Sequence, residues 1–384
     1  MRVKLKDVCI FYTGTGFPKK YQGQLSGTYP FYKVGDIANN VVSGKVYLEQ
    51  CNNYISEETL ELIKGSIVPK NTVVFAKIGE ALKLNRRAIT STDCLIDNNA
   101  MGIAAKSDKL RTLFFYYFMR NIKMELLAES TTVPSVRKSR LEAYEIDIPS
   151  LDEQEIIERK LTILSKMINL KEKQLLKLDE LVKARFVEMF GDPVENTMNW
   201  PEIFIGDKCF VTKLAGFEYT QYIDYEESGE VVMVKAQNVK NGKLNRKDLS
   251  FISKKVSDSL PRSQLAPGDV VMTYVGANIG DVAVIDDVYK YHLAPNVAKI
   301  RPNAEVYNSI YFMYMLMLLN IYIVKNSADT AKAALGMEKI RKLKVFIPPL
   351  ELQNQFASFV EEIDKSRLHE QLAVEYVKLL AKDL

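Results

Sequence analysis

The chain has 384 residues, 52 Lys+Arg against 48 Asp+Glu, 47% hydrophobic residues and a formal net charge of +4. At roughly 100–200 residues per domain this allows two or three domains with cores of their own, and the composition excludes a disordered chain or a collagen-like fibre. A balance so near neutral excludes a uniformly basic coat, and two histidines with four scattered cysteines (Cys9, Cys51, Cys94, Cys209; no C-x-x-C pair) exclude zinc-ribbon and thioredoxin chemistry.

The N-terminal run MRVKLKDVCIFYTGTG has no apolar signal core and no small-residue cleavage site. Four unclustered thiols suit a reducing compartment, so a cytoplasmic protein is expected. Residues 1–149 mix short β-branched and aromatic runs such as TVVFAKI with one or two helical patterns, joined by Gly/Asn/Pro turns, which reads as an α/β or α+β domain. Three stretches in it hold residues suited to nucleic acid. They are Thr13 to Gln22; Lys77, Lys83, Asn85, Arg86 and Arg87; and Arg137, Lys138 and Arg140, which follow a polar loop from Thr131. Hydroxyls and cations clamp phosphates, and a bidentate arginine reads guanine. Each stretch also reads as a solvated loop or helix face, which is what charge runs usually are. Gly14-x-Gly16 lacks the third glycine of a dinucleotide loop and marks a turn.

A long helix is expected over residues 150–190. Ser150-x-x-Glu153 is a capping box. Behind it run two heptad series, Leu161, Ile168, Leu175, Val182, Met189 and Ile157, Leu164, Lys171, Leu178, Arg185, of which only Lys171 and Arg185 are not apolar. Such a stripe over four to five heptads reads as a coiled coil, and Phe190-Gly191-Asp192-Pro193 ends it.

Residues 191–348 then repeat the first domain. Ile148-Pro149-Ser150-Leu151-Asp152-Glu153-Gln154 returns as Ile347-Pro348-Pro349-Leu350-Glu351-Leu352-Gln353, sharing I-P-x-L-x-x-Q. Upstream, Phe31–Ile37 echoes Met233–Val239, PKNTVVFAKIG echoes PGDVVMTYVG, Asn99 faces Asn296, and Thr13–Gln22 loosely matches Thr212–Gln221. The period is far longer than that of solenoid repeats, so this is domain duplication. In the second copy Lys235, Thr273, Tyr274, Asn278, Lys332, Lys339, Arg341 and Lys342 take the candidate DNA-binding places. The most apolar run, Ile310–Val324, falls short of the roughly 20 residues that span a bilayer, and its counterpart contains Arg120, so it reads as a core helix.

Residues 349–384 give a second long helix with Leu352, Phe356, Phe359, Ile363, Ala373, Val377 and Leu380 on its stripe, broken at Ser366 and Glu370. Two such helices alternating with two heads most simply pack antiparallel. The expected result is a pseudo-twofold dumbbell with Leu384 near Met1. Ile157 to Met189 spans roughly 48 Å at 1.5 Å per residue, about one and a third turns of B-DNA, so the paired rods can act as a ruler.

Charge is uneven along this plan. Residues 1–150 hold 21 Lys+Arg and 15 Asp+Glu, residues 191–349 hold 19 and 18, and residues 350–384 hold 4 and 7. The first head is the basic part, and the helices suit protein contacts better than phosphate contacts. Enzyme signatures are missing: there is no G-x-x-x-x-G-K-[ST] loop, no Asp/Asn-Pro-Pro-aromatic motif to hold a target amine, and no histidine placed for a triad, His292 reading as structural and His369 as a helix surface residue.

Two heads, each followed by I-P-x-L-x-x-Q and a long heptad helix, the first closing on R-F-x-E-M-F-G-D-P (Arg185–Pro193), resemble the specificity (S) subunit of type I restriction-modification systems. The resemblance covers essentially the whole chain. It implies two target-recognition domains, each reading one half of a bipartite, asymmetric DNA sequence, with the paired helices setting the gap and their outer faces docking partners. It also implies that this chain holds no cofactor and no catalysis. Two methyltransferase (M) subunits would bring S-adenosylmethionine and methylate adenine, and restriction (R) subunits would use ATP and Mg to translocate and cleave. A coiled-coil scaffold or adaptor whose heads bind proteins and not DNA is the alternative, and an enzyme with an unrecognised active site is a third reading.

Overall fold

The computed structural model describes residues 1–129, 133–320 and 334–382. It divides into two compact units, Met1–Glu172 with Ala373–Leu384, and Lys173–Leu372.

In the first unit β1 (Arg2–Lys4) forms an antiparallel ribbon with the strand Glu145–Asp147. The main sheet starts at β2 (Cys9–Thr13). Its central strand is β3 (Thr72–Ala76), and β4 (Ala100–Ala105) lies between the two, antiparallel to both. Beyond β3 the sheet continues through Ala88–Thr90 to Tyr47–Leu48. A smaller sheet joins Tyr54–Ile55, Tyr29–Tyr32 and Leu95–Ile96. All five residues of β3, TVVFA, are buried, because the strand has a core on each face. Val73 and Phe75 point to a cluster with Phe115 and Met119 of α1 (Thr112–Asn121), while Val74 points the other way, to Leu48 and Ile96. The ribbon strand Glu145–Asp147, β5, then leads into α2 (Leu151–Phe190). The expected capping box is present: Ser150 N–H donates to Glu153 Oε2 (2.9 Å) and Glu153 N–H to Ser150 Oγ (3.3 Å).

The second unit repeats the plan. A ribbon of β6 (Glu202–Phe204) is closed by the strand Lys344–Phe346, and β7 (Cys209–Lys213) opens the main sheet. Its central strand β8 (Val270–Thr273) is separated from β7 by β9 (Val297–Pro302), again antiparallel to both, and Val282–Val284 completes the sheet. Val270 and Met272 face Tyr311 and Phe312 of α3 (Ser309–Leu318), while Val271 faces Leu293 and Val297. Tyr311 to Leu316 are all buried, so the most apolar run of the sequence is a core helix as far as it is described; its end beyond residue 320 lies outside the described residues. Among the described residues no helix is long and apolar enough to cross a membrane. The ribbon strand Lys344–Phe346, β10, leads into α4 (Leu350–Lys382).

Within each unit the two long helices pair antiparallel. In the second, Phe186 and Phe190 meet Phe356, with ring centroids 5.4 and 5.6 Å apart, while Asp179, earlier on α2, bonds Arg367, later on α4, at 2.6 Å. In the first, Glu172 pairs with Lys378 at 2.9 Å, and Ile157 and Leu161 share a core with Ala381. Of the seam residues expected on α2, Leu161 and Val182 are buried, and Ile157, Leu164, Ile168, Leu175 and Leu178 are half-buried. On α4 Phe356 and Val377 are buried, and Phe359 and Ile363 half-buried. Leu380 departs from expectation, being 40% exposed. At 100° per residue Ala381 lies roughly 20° from buried Val374 around the helix, whereas Leu380 lies roughly 120° away. The interruption read at Ser366 and Glu370 has a specific occupant, Arg367, only 5% exposed and bonded to Asp179 and Asp364.

Candidate nucleic-acid interface

The separate candidate stretches of the first unit converge at one end of the main sheet. Past β3 the chain runs through Lys77-Ile78-Gly79, and this loop is paired on both sides. Lys77 N–H donates to Asn99 O (2.8 Å), Val136 N–H to Lys77 O (2.9 Å), and Gly79 N–H to Pro134 O (2.8 Å). Ile78 and Ser135 form an isolated antiparallel bridge. The loop of the second cationic stretch is thus joined to the segment that carries the third. Gly79 turns away at φ 76°, which favours glycine. Arg137, Lys138 and Arg140 follow at once, all exposed, at the start of the short helix Lys138–Glu142. Arg137 pairs with Glu129 (2.8 Å) and Lys138 lies 3.6 Å from Glu142; surface pairs of this kind contribute little and can be exchanged for phosphate. Just past β2, Gly14 passes so close to Asp97 that a Cβ would sit 1.7 Å from its carbonyl oxygen, so this glycine serves a backbone crossing and not the turn expected of it.

The second unit builds the same junction from different side chains. Tyr274 N–H donates to Asn296 O (3.0 Å), Leu335 N–H donates to Tyr274 O (2.8 Å), and Val275 bridges Ala334. Gly276 turns at φ 108°. Lys213, the last residue of β7, places its ammonium 5.4 Å from the Tyr274 ring centroid. Asn278, Lys339 and Lys342 are exposed. Arg341 is half-buried and donates to Val211 O (3.0 Å), so part of its guanidinium is committed to the fold. Lys332, Thr131 and Thr132 lie outside the described residues.

Several expected contacts are structural instead. Arg87 is 2% exposed, its guanidinium 4.8 Å from the Phe75 ring centroid and bonded to Asn85 Oδ1 (2.7 Å) and Arg86 O (2.9 Å); burial pulls its pKa down to about 9. Asn85 is consumed by that bond and by its own donation to Arg120 O (3.0 Å). Thr273 is fully buried at the end of β8. Lys235 donates to Asp248 O (3.0 Å) and Ser250 Oγ (2.9 Å), just past the strand Val231–Val234 of the unit's other four-stranded sheet. Arg87 and Thr273 are kept from a duplex by burial, and Asn85 and Lys235 by their bonds to the fold. Lys77 and Arg86 are half-buried, and Lys83 is exposed and paired with Glu80 (2.8 Å).

Lys213 lies inside the matched stretch Thr212–Gln221 but is not singled out by the sequence. The loose match set Thr13 against Thr212, whereas strand pairing sets Thr13 opposite Met101 and Lys213 opposite Ala298, the fifth pair of each ladder. The cysteines that open β2 and β7 carry that register. His292 is buried, with Nδ1 3.1 Å from Leu293 O and a pKa lowered by burial, and His369 is exposed on α4. Among the described residues no group of three or more His, Cys, Asp or Glu could hold a metal ion.

Comparison with known proteins bears on this geometry. Residues 1–180 and 198–375 each match the family described as the type I restriction modification DNA specificity domain. The type I restriction enzyme EcoBI specificity subunit of Escherichia coli is 20% identical over 71% of this chain; the match spans 63% of that protein's length. The MjaVIII specificity subunit of Methanocaldococcus jannaschii is 21% identical over 94% of this chain and 85% of its own. In fold, the chain is similar to the S subunit of a type I restriction-modification system from M. genitalium, with a TM-score of 0.55 at 14% identity, covering 100% of this chain and 94% of that one. A chain from work on complex assembly of the type I R-M system gives a TM-score of 0.59 at 16% identity, covering 100% and 95%.

Proposed function

Because the chain belongs to the type I restriction-modification DNA specificity family, we propose that it is the sequence-reading, non-catalytic subunit of such a system, acting on double-stranded DNA in the cytoplasm. Residues 1–149 and 191–348 are its two target-recognition domains, and 150–190 and 349–384 are its spacer helices. Each domain reads one half of a bipartite, asymmetric target. The observation that carries the reading is the duplicated junction, a loop after the central strand hydrogen-bonded to the segment that leads into a short cationic helix. Duplicate readers of unlike sequence suit a target with two unlike halves.

Binding combines two terms. Exposed Arg137, Lys138 and Arg140, with Lys339 and Lys342 in the second unit, supply phosphate contacts and make affinity fall with salt. Side chains on the junction loops supply base contacts at about 1–3 kcal/mol per good pair. The methyltransferase partners dock on the long helices. Ile156, Ile163 and Leu170 lie on one exposed stripe of α2, and Leu368 and Leu372 are exposed on α4, although neither set faces the seam. S-adenosylmethionine, ATP and Mg belong to those M subunits and to R subunits. An adaptor with protein-binding heads would leave the recurrence of the cationic junction without a role.

The test is a gel-shift salt titration of the chain co-expressed with its methyltransferase. Replacing Arg137, Lys138 and Arg140 together by alanine is expected to weaken binding and to reduce the slope of log K against log salt by about 0.9 per lost contact. No retention of DNA at low salt, or an unchanged slope in the triple variant, overturns the reading.

A further inference from the structure

Lys77 and Tyr274 occupy the same place in the two units. Each donates its N–H to the carbonyl of an asparagine that precedes the returning strand, Asn99 at 2.8 Å and Asn296 at 3.0 Å. Each accepts at its carbonyl from the segment leading into the cationic helix, Val136 at 2.9 Å and Leu335 at 2.8 Å. Two residues further on stands a glycine with positive φ, Gly79 or Gly276. The backbone at this position is therefore held from both sides, on the end of the central strand, and only the side chain differs. Both side chains are half-buried, so they stand at the lip of the junction and not inside the core.

We propose that this position is the base-reading position of each head, with Lys77 selecting a guanine in one half-site and Tyr274 selecting a thymine in the other. The inference rests on the DNA-reading function proposed above and names the residues that separate its two half-sites. A half-buried side chain on a backbone held from both sides has less freedom to lose on contact than the exposed Arg137, Lys138 and Arg140, so it is the better placed to discriminate, whereas those exposed cations position the duplex. A lysine ammonium matches the paired acceptors O6 and N7 of guanine in the major groove. An aromatic ring offers no cation to those acceptors; the Lys213 ammonium over one face of the Tyr274 ring orients it, and the opposite face suits the thymine methyl.

The experiment maps methylated sites on a random-target library with the complete methyltransferase complex, using the wild type, Lys77→Ala, Lys77→Met and Tyr274→Lys. Lys77→Ala is expected to lose preference for guanine at one base of one half-site by roughly ten- to a hundredfold, leaving the other half-site and the gap unchanged. Lys77→Met keeps the aliphatic stem and the backbone bonds, so the same loss in a variant with wild-type melting temperature assigns the effect to the ammonium. Tyr274→Lys is expected to move the other half-site from thymine to guanine. An unchanged motif in all three variants, or a uniform loss on every sequence with a lower salt slope, overturns the proposal. If that happens while the Arg137, Lys138 and Arg140 triple variant still flattens the salt slope, the DNA-reading function stands and only the assignment of these two residues falls. A wild-type complex that binds no DNA overturns both.

Discussion

Gln154 and Gln353 make the same three side-chain hydrogen bonds, one set in each unit. Gln154 Oε1 accepts from Arg111 N–H (2.9 Å) while its amide donates to Lys109 O and Pro149 O, both at 3.0 Å. Gln353 Oε1 accepts from Asn308 N–H (2.9 Å) and its amide donates to Val306 O (3.0 Å) and Pro348 O (2.8 Å). Both are fully buried. The glutamine of I-P-x-L-x-x-Q thus ties the first turn of each long helix to the start of each core helix, α1 and α3, and this explains why the motif survives in both copies.

Removing either tie leaves three backbone groups without their partner, at about 1–3 kcal/mol for each one that water cannot reach. Gln154→Ala is therefore expected to destabilise by about 2–4 kcal/mol and to abolish protection of the Arg111 amide in hydrogen exchange, with the Asn308 amide unaffected. Gln353→Ala should give the reverse. Equal loss of protection at both amides in either variant would show that the ties do not act separately.

Arg87 and Arg137 make opposite predictions from the same residue type. Arg87 is packed on Phe75 with its guanidinium bonded inside the first unit. Arg87→Ala should cost about 2–4 kcal/mol of stability, through a cavity beside Phe75 and the lost bonds to Asn85 Oδ1 and Arg86 O, with no change in the salt dependence of DNA binding. Arg137→Ala should leave the denaturation midpoint where it is and reduce the salt slope. A slope change with Arg87→Ala in folded protein would return that residue to the DNA surface.

The buried arginine in the helix seam separates charge from packing. Arg367 is 5% exposed, and its partner Asp179 is mostly exposed, so the pair gains little from Coulomb attraction. Arg367→Met, which keeps the stem, is expected to change stability by less than about 1 kcal/mol or to raise it. Arg367→Ala should cost about 2–3 kcal/mol through lost packing. Urea denaturation of the two variants side by side reads the difference, and a large loss in Arg367→Met would assign the stability to charge.

Burial pushes the thiols of Cys9 and Cys209 up to about 12 from an ordinary value of 9.0. The fold favours the neutral thiol, so this stability is fully present below about pH 9 and is lost as pH rises from there, when the unfolded chain ionises first. Each site should contribute a decline of about 1.4 kcal/mol per pH unit above pH 9. The melting temperature measured from pH 7 to 10.5 should fall less steeply in the Cys9→Ala/Cys209→Ala double variant than in the wild type, and parallel curves would refute the coupling.

Much of this was legible from period alone. The heptad steps from Ile157 to Val182 turn inward as read, and the two copies of the I-P-x-L-x-x-Q motif sit at equivalent helix starts. The candidate site was legible as stretches but not atom by atom. Arg86 and Arg87 are neighbours of one type, and only the fold, by running Ala88–Thr90 into the sheet, decides that the second is swallowed. Thr273 ends a strand whose every residue is buried, and polarity at a strand end gives no sign of that. Leu380 misled because an apolar residue three places from Val377 fits a helical stripe as well as Ala381 does, and the seam drifts around α4 past Arg367.

The small ribbons have a wider consequence. β1 lies against β5 and β6 against β10, so the chain enters each unit's sheets beside the place where it leaves them. Everything between can be replaced as one cassette by two crossovers, without rethreading the rest of the polypeptide. On the function proposed above, exchanging one such cassette would change one half-site and leave the long helices as they were.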